Sequence, residues 1–93
     1  MSDEKFESIW DAIEDTPAAA KNMKLRSGLM MAIKDQVERQ GWTQAEAAHH
    51  LGVTQPRVSD LMRGKIDLFG LDTLVNMAVA AGLNVEMHIA DAA

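Results

Sequence analysis

The sequence predicts an all-α domain of about five helices that ends in one short strand. Three observations predict it. Between Thr16 and Gly82 the apolar residues recur at three- and four-residue spacing, which is the helical period. Glycines and Thr or Pro residues punctuate that pattern at short intervals, as helix ends and starts do. After Gly82 the period changes to two, with Val85, Met87 and Ile89 alternating with Asn84, Glu86 and His88, the pattern of a half-buried strand.

Residues 1–15 come first. Phe6, Ile9, Trp10 and Ile13 stand at i, i+3, i+4 and i+7, an apolar helical face opposite Asp3, Glu4, Glu7, Asp11 and Glu14. Such an acidic arm can fold back on its own domain or lie in a partner's groove. Thr16-Pro17 is an N-cap followed by proline at the first helical position, so a helix starts there and runs to about Gln40. Ser27-Gly28 is a candidate break in it. Leu29, Ile33 and Val37 form its buried seam, Gly41 ends it, and Trp42 covers the core edge.

The stretch TQAEAAHHLGVTQPRVSDLMRGK, residues 43–65, carries the densest set of signals. Thr43 and Glu46 read as a capping box. Ala47, Ala48 and Leu51 share one helix face, and Ala48 is small where a second helix has to cross. Gly52 suits the left-handed position that closes a helix, and Val53 can plug the gap that follows. Thr54 caps the next helix, where Pro56 in the first turn breaks no intrahelical bond. Val58, Leu61 and Met62 face inward, leaving Gln55, Arg57, Ser59, Asp60 and Arg63 outward until Gly64 stops the helix. Leu68 and Phe69 read as a linking loop. Leu71, Leu74, Val75, Ala78 and Val79 then form the inner face of a last helix, opened near Gly70 and closed by Gly82. The organisation is an arm (1–15), a helical domain (16–82, with the two-helix unit at 43–64) and a C-terminal strand and tail (83–93). A lone strand leaves its edge groups unpaired. Val85, Met87 and Ile89 are therefore expected to pair with the same strand of a second copy about a two-fold axis.

Two helices joined by a short glycine turn present the second one to a DNA major groove. The outward residues suit that task. Gln bonds bidentately to adenine and Arg to guanine, each pair giving about 1–3 kcal/mol of discrimination. The bland reading of any polar helix face is a solvated surface. Here both caps, the glycine turn and the inward apolar set coincide within one short stretch, which favours DNA.

Gln44, Ala48, Gly52, Val58 and Leu61 resemble the skeleton of the XRE family, the helix-turn-helix proteins similar to phage repressors. The longer run GWTQAEAAHHLGVTQPRVSDLMRGKIDLFGLDTLVNMAVAAGLNVEMHI is similar to a short branch containing HigA-type antitoxins, and the resemblance spans about residues 25–89. It implies a lambda-repressor-like helical domain that binds a pseudo-palindromic operator as a homodimer. It also implies a phosphate-anchoring role for Gln44, a base-reading role for Gln55, and a small basic RNA-cleaving toxin as partner, which the acidic arm would suit. Pro56 departs from phage repressors, which often place a second polar reader there, so their base code does not carry across. The expected DNA face comprises Thr43, Gln44, Thr54, Gln55, Arg57, Ser59, Asp60, Arg63 and Lys65. The expected toxin face is Phe6, Ile9, Trp10 and Ile13.

Charge agrees once it is divided along the chain. The net value of −5 conceals a basic middle. Residues 1–20 hold one Lys against six acids and residues 66–93 hold four acids alone, whereas residues 21–65 hold eight Lys or Arg against four acids. The local field is what governs association with phosphate. Ninety-three residues make one domain near the small end of self-sufficient cores, to which dimerisation would add. Absence of cysteine excludes disulfides and thiolate metal sites. No apolar run reaches the roughly 18 residues of a membrane span, and the acidic start MSDEKFES is unlike a signal peptide, so a cytoplasmic location is expected.

Catalysis finds no constellation. His49 and His50 are neighbours on a helix and diverge by about 100°. There is no nucleophile elbow or phosphate-cradling glycine loop. No enzyme activity, metal or cofactor is expected. The sequence supports a dimeric operator-binding repressor, the antitoxin of a type II pair that silences its own operon. Two alternatives stay open: a stand-alone regulator without a toxin, and a protein-interaction module that has lost DNA binding.

Overall fold

The computed structural model describes residues 16–92. Among them are four α-helices and one 3₁₀ turn: α1 (Pro17–Gln40), α2 (Gln44–Leu51), α3 (Gln55–Met62), the turn Ile66–Leu68 and α4 (Leu71–Ala80). The apolar arm face expected at Phe6, Ile9, Trp10 and Ile13 lies outside the described residues.

Helix α1 starts where its cap dictates. Thr16 Oγ1 accepts the Ala19 N–H at 3.1 Å, and Pro17 occupies the first turn. The helix then runs 24 residues without interruption, so the expected break at Ser27-Gly28 does not occur. A helical glycine costs about 1 kcal/mol relative to alanine. Burial of Met30, Ile33 and Val37 beside it outweighs that, at about 1.5–3 kcal/mol for each fully buried side chain. Ile33 and Val37 are buried as expected, and the first place of the seam goes to Met30, with Leu29 half-buried at the core edge.

Helix α1 packs chiefly along α4, while α2 packs on α3. The largest fully buried side chains are Phe69, Ile33, Leu61, Leu74 and Val58, drawn from α1, α3, α4 and the segment between the 3₁₀ turn and α4. Phe69 lies in the linking segment the sequence suggests, and its side chain is a core residue at 0% exposure. Helix α4 turns Leu74, Met77 and Ala78 inward, followed by Ala81, at i, i+3, i+4 and i+7. Val79, expected on that face, is 58% exposed. Gln36 Nε2 donates to the Ala81 carbonyl at 3.0 Å, meeting one of the acceptors a helix end leaves over.

The tail is fixed as far as Leu83, whose N–H donates to the Ala78 carbonyl at 3.0 Å. Residues 84–92 form no strand and make no backbone hydrogen bond with the other described residues. Val85, Met87 and Ile89 are 37%, 80% and 81% exposed. The expected ladder is absent because this single chain offers no second edge. Extended backbone becomes a strand only against another one.

Two glycines should respond oppositely to the same substitution. Neither has an atom within 4 Å of a built Cβ, but Gly52 has φ +70 and Gly28 lies inside α1. Gly28→Ala should therefore stabilise by about 1 kcal/mol, and Gly52→Ala should destabilise by about 1–2 kcal/mol. For a domain of this size each kcal/mol moves Tm by roughly 4–8 °C. Thermal melts showing both variants shifted in one direction would contradict the assigned backbone conformations.

Candidate nucleic-acid interface

The two short helices are locked to each other by local chemistry. At the start of α2, Thr43 Oγ1 accepts the Glu46 N–H at 3.1 Å while the Thr43 N–H donates to Glu46 Oε1 at 2.8 Å, the reciprocal box the sequence predicts. Gly52, left-handed at the end of α2, sends its N–H to the Ala48 and His49 carbonyls. The Val53 N–H then reaches Ala48 at 3.0 Å, which places Val53 against the core as a half-buried plug. Thr54 Oγ1 accepts the Arg57 N–H at 3.3 Å and opens α3. Ala47, Ala48 and Leu51 meet the core alongside Val58 and Leu61.

Burying those residues decides what remains outside. Gln44 in the first turn of α2 and Gln55 in the first turn of α3 are both exposed, as are Thr43, Thr54, Arg63 and Lys65. Ser59 and Asp60 are half-buried. Asp60 is the one acid of α3, and its carboxylate meets Lys65 Nζ at 3.5 Å. The Lys65 N–H also returns to the Asp60 carbonyl at 3.1 Å, so the chain after α3 is folded against the helix. Arg26 of α1 supports the same corner, donating to the Ile66 carbonyl at 3.3 Å. Of the expected face, Thr54, Gln55, Arg63 and Lys65 are thus exposed on α3 and the chain that follows it, and Thr43 and Gln44 at the entrance to α2.

Arg57 is the exception to a simple outward reading. It is half-buried, with Cζ 4.2 Å from the centre of the Phe69 ring, a cation stacked on an aromatic face. Sequence reasoning left Phe69 in a linking loop because the apolar residues around it follow no helical or strand period. Arg26 was missed for a similar reason, since its carbonyl partner lies 40 positions away. On the far side of α2 the Trp42 and His50 rings stack at 4.1 Å, with the His49 ring edge-on to His50 at 5.8 Å. Trp42 covers the core edge as its position suggests. Among the described residues no three His, Asp or Glu side chains gather as a metal would need, and no helix is long and apolar enough to cross a membrane.

Comparison with known proteins bears on this surface. A family of helix-turn-helix domains matches residues 12–90. A solved structure named as an XRE family transcriptional regulator superposes with a TM-score of 0.73 at 30% identity, covering 77% of this chain and 81% of that one. No curated protein matches the sequence.

The capping box carries a pH signature. The backbone N–H of Thr43, then its hydroxyl, holds the Glu46 carboxyl below the usual glutamate range, helped by His50. A carboxyl whose folded pKa is depressed adds stability that is present above its unfolded pKa and is lost as pH falls through the folded one. Thr43→Ala should cost about 1 kcal/mol and should raise the Glu46 titration midpoint towards its ordinary value without fully restoring it. A side-chain NMR titration in which Glu46 behaves identically in both proteins would remove the box from the stability of α2.

Proposed function

The chain belongs to the XRE family of helix-turn-helix, DNA-binding transcriptional regulators, and from that premise we propose that it is a dimeric repressor of its own operon and the antitoxin of a type II toxin–antitoxin pair. The observation that carries the DNA part is the division of α3. Val58 and Leu61 are sealed in the core, whereas the side chains of Gln55, Arg57 and Arg63 make no hydrogen bond or ion pair with other described residues. Their donors are available to base edges and phosphates. In this reading Gln44 and Thr43 anchor the backbone at the α2 N-terminus, where partial positive charge also favours phosphate. Thr54, Ser59 and Lys65 flank the reading helix, and Asp60 holds Lys65 in place.

Dimerisation is supported by residues 84–92, which expose Val85, Met87 and Ile89 beside unpaired backbone. A two-fold axis would convert that edge into a ladder. The toxin is supported by the sequence of the arm, whose Phe6, Ile9, Trp10 and Ile13 face and acidic flank suit a basic RNA-cleaving protein. A small basic reading frame beside this one would separate the antitoxin from a stand-alone regulator.

Salt tests the DNA part. With about 6–10 phosphate contacts per dimer, operator affinity should fall by roughly 10³–10⁵ between 50 and 200 mM salt. A nearly flat dependence would instead support a protein-interaction module that no longer holds DNA.

Truncation tests the dimer. Ending the chain after Leu83 leaves the core residues intact and should give a folded monomer. Its operator affinity should drop because two half-sites about 34–36 Å apart are no longer engaged together. A truncated protein that still sediments as a dimer would place the interface elsewhere.

A further inference from the structure

We propose that Phe69 is a positioning residue for DNA reading: its buried ring holds the Arg57 guanidinium edge-out, so that Arg57 addresses a guanine. This rests on the assignment of α3 as the helix that enters the major groove.

Phe69 follows the 3₁₀ turn Ile66–Leu68 in extended backbone (φ −126, ψ 113) and is fully buried. Arg57, twelve residues earlier, lies across its ring at 4.2 Å and so closes one face of the core. A guanidinium is planar, and its five N–H donors lie in that plane. A guanidinium whose flat face lies against a ring keeps its donor edge free, and in the proposed arrangement the Phe69 ring takes that face. The edge has no other claim on it: Arg57 forms no ion pair or side-chain hydrogen bond with the other described residues, and the carboxylate on the same helix, Asp60, is engaged by Lys65. An Arg held flat but unspent is suited to a planar bidentate acceptor, and guanine O6 and N7 form one in the major groove. Its place in the first turn of α3 favours a base over a phosphate, because the N-terminal residues of a reading helix meet base edges. Ordering the side chain before DNA arrives also reduces the entropy lost on binding.

The test is enrichment of the full chain on a pool of random-sequence duplexes, with Arg57→Ala, Arg57→Lys and Phe69→Leu alongside the unsubstituted protein. The unsubstituted chain should select guanine at one position in each half-site. Arg57→Ala should lose roughly 5- to 150-fold of that preference, and Arg57→Lys should lose preference there as well, since an ammonium has no planar fork. Phe69→Leu should lose about 2- to 5-fold at the same base pair and nowhere else, and should add nothing to Arg57→Ala in the double variant. A Phe69→Leu loss spread evenly over all positions, or centred on another base pair, would overturn the proposal, as would an Arg57→Ala variant that weakens every sequence equally as a phosphate contact does. A check that does not depend on the variant folding is the Arg57 Nε–H resonance of the unsubstituted chain, which the Phe69 ring current should shift upfield; an unshifted resonance overturns the stack. If the unsubstituted chain enriches no sequence at all, the assignment of α3 itself fails before either residue is in question.

Discussion

The left-handed turn at Gly52 is the constraint on which the rest of the structure depends. With φ at +70 it ends α2, sends the backbone back to Ala48, and delivers Val53 into the angle between two helices. Each of those helices has only eight residues, a length at which an isolated helix is marginal in water. They exist because the turn lets Ala47, Ala48 and Leu51 reach the same core as Val58 and Leu61. A residue with a Cβ at Gly52 would meet no neighbouring atom, so the requirement is one of backbone conformation alone. Helices α1 and α4 form the platform beneath, and the orientation of α3 is fixed by burial on one side of it rather than by any polar contact on the other.

That arrangement explains how an acidic chain can present a basic face. The outer segments hold most of the acids, while α3 and the two residues that follow its C-cap carry Arg57, Arg63 and Lys65 with one carboxylate, Asp60, which Lys65 engages. The pair is partly exposed, and pairs of that kind contribute little to stability, about 0–1 kcal/mol. Its consequence is geometric. With the backbone bond from Lys65 to Asp60 it folds the exit of α3 against the helix, keeping the Lys65 charge beside α3.

The two-helix unit was legible in the sequence because each of its parts is encoded locally. A capping threonine, a box glutamate, a left-handed glycine and a first-turn proline each act within four residues, and the apolar period then has one consistent phase. Where the sequence was ambiguous, the physical reason is visible in particular residues. Leu29, Met30 and Met31 are adjacent and apolar, so periodicity alone cannot choose between neighbours that point about 100° apart; the packing selected Met30. Ala78 and Val79 pose the same problem on α4, resolved in favour of Ala78. At Gly28 local propensity suggested a break, and the helix that buries Met30, Ile33 and Val37 after it runs through uninterrupted. The strand pattern of residues 84–89 is a statement about a surface that a single chain does not supply.

Phe69 shows why the candidate site was less legible than the fold. It has no periodic companions, yet it is the one residue between Gly64 and Gly70 that is fully buried, in the core to which α1, α3 and α4 contribute. Its position makes one residue serve two ends. Removal of the whole side chain would open the core and at the same time release Arg57, whereas a leucine there keeps the site filled and removes only the ring. Helix α4 begins two residues later and, ten residues on, is tied by the Ala81 carbonyl to Gln36 of α1. It is a strut of about 15 Å with the Arg57 platform at one end and the exposed tail at the other. A second copy joined through that tail would therefore hold the two α3 helices at a separation set by rigid, buried elements, which is the condition for reading two half-sites at a fixed spacing.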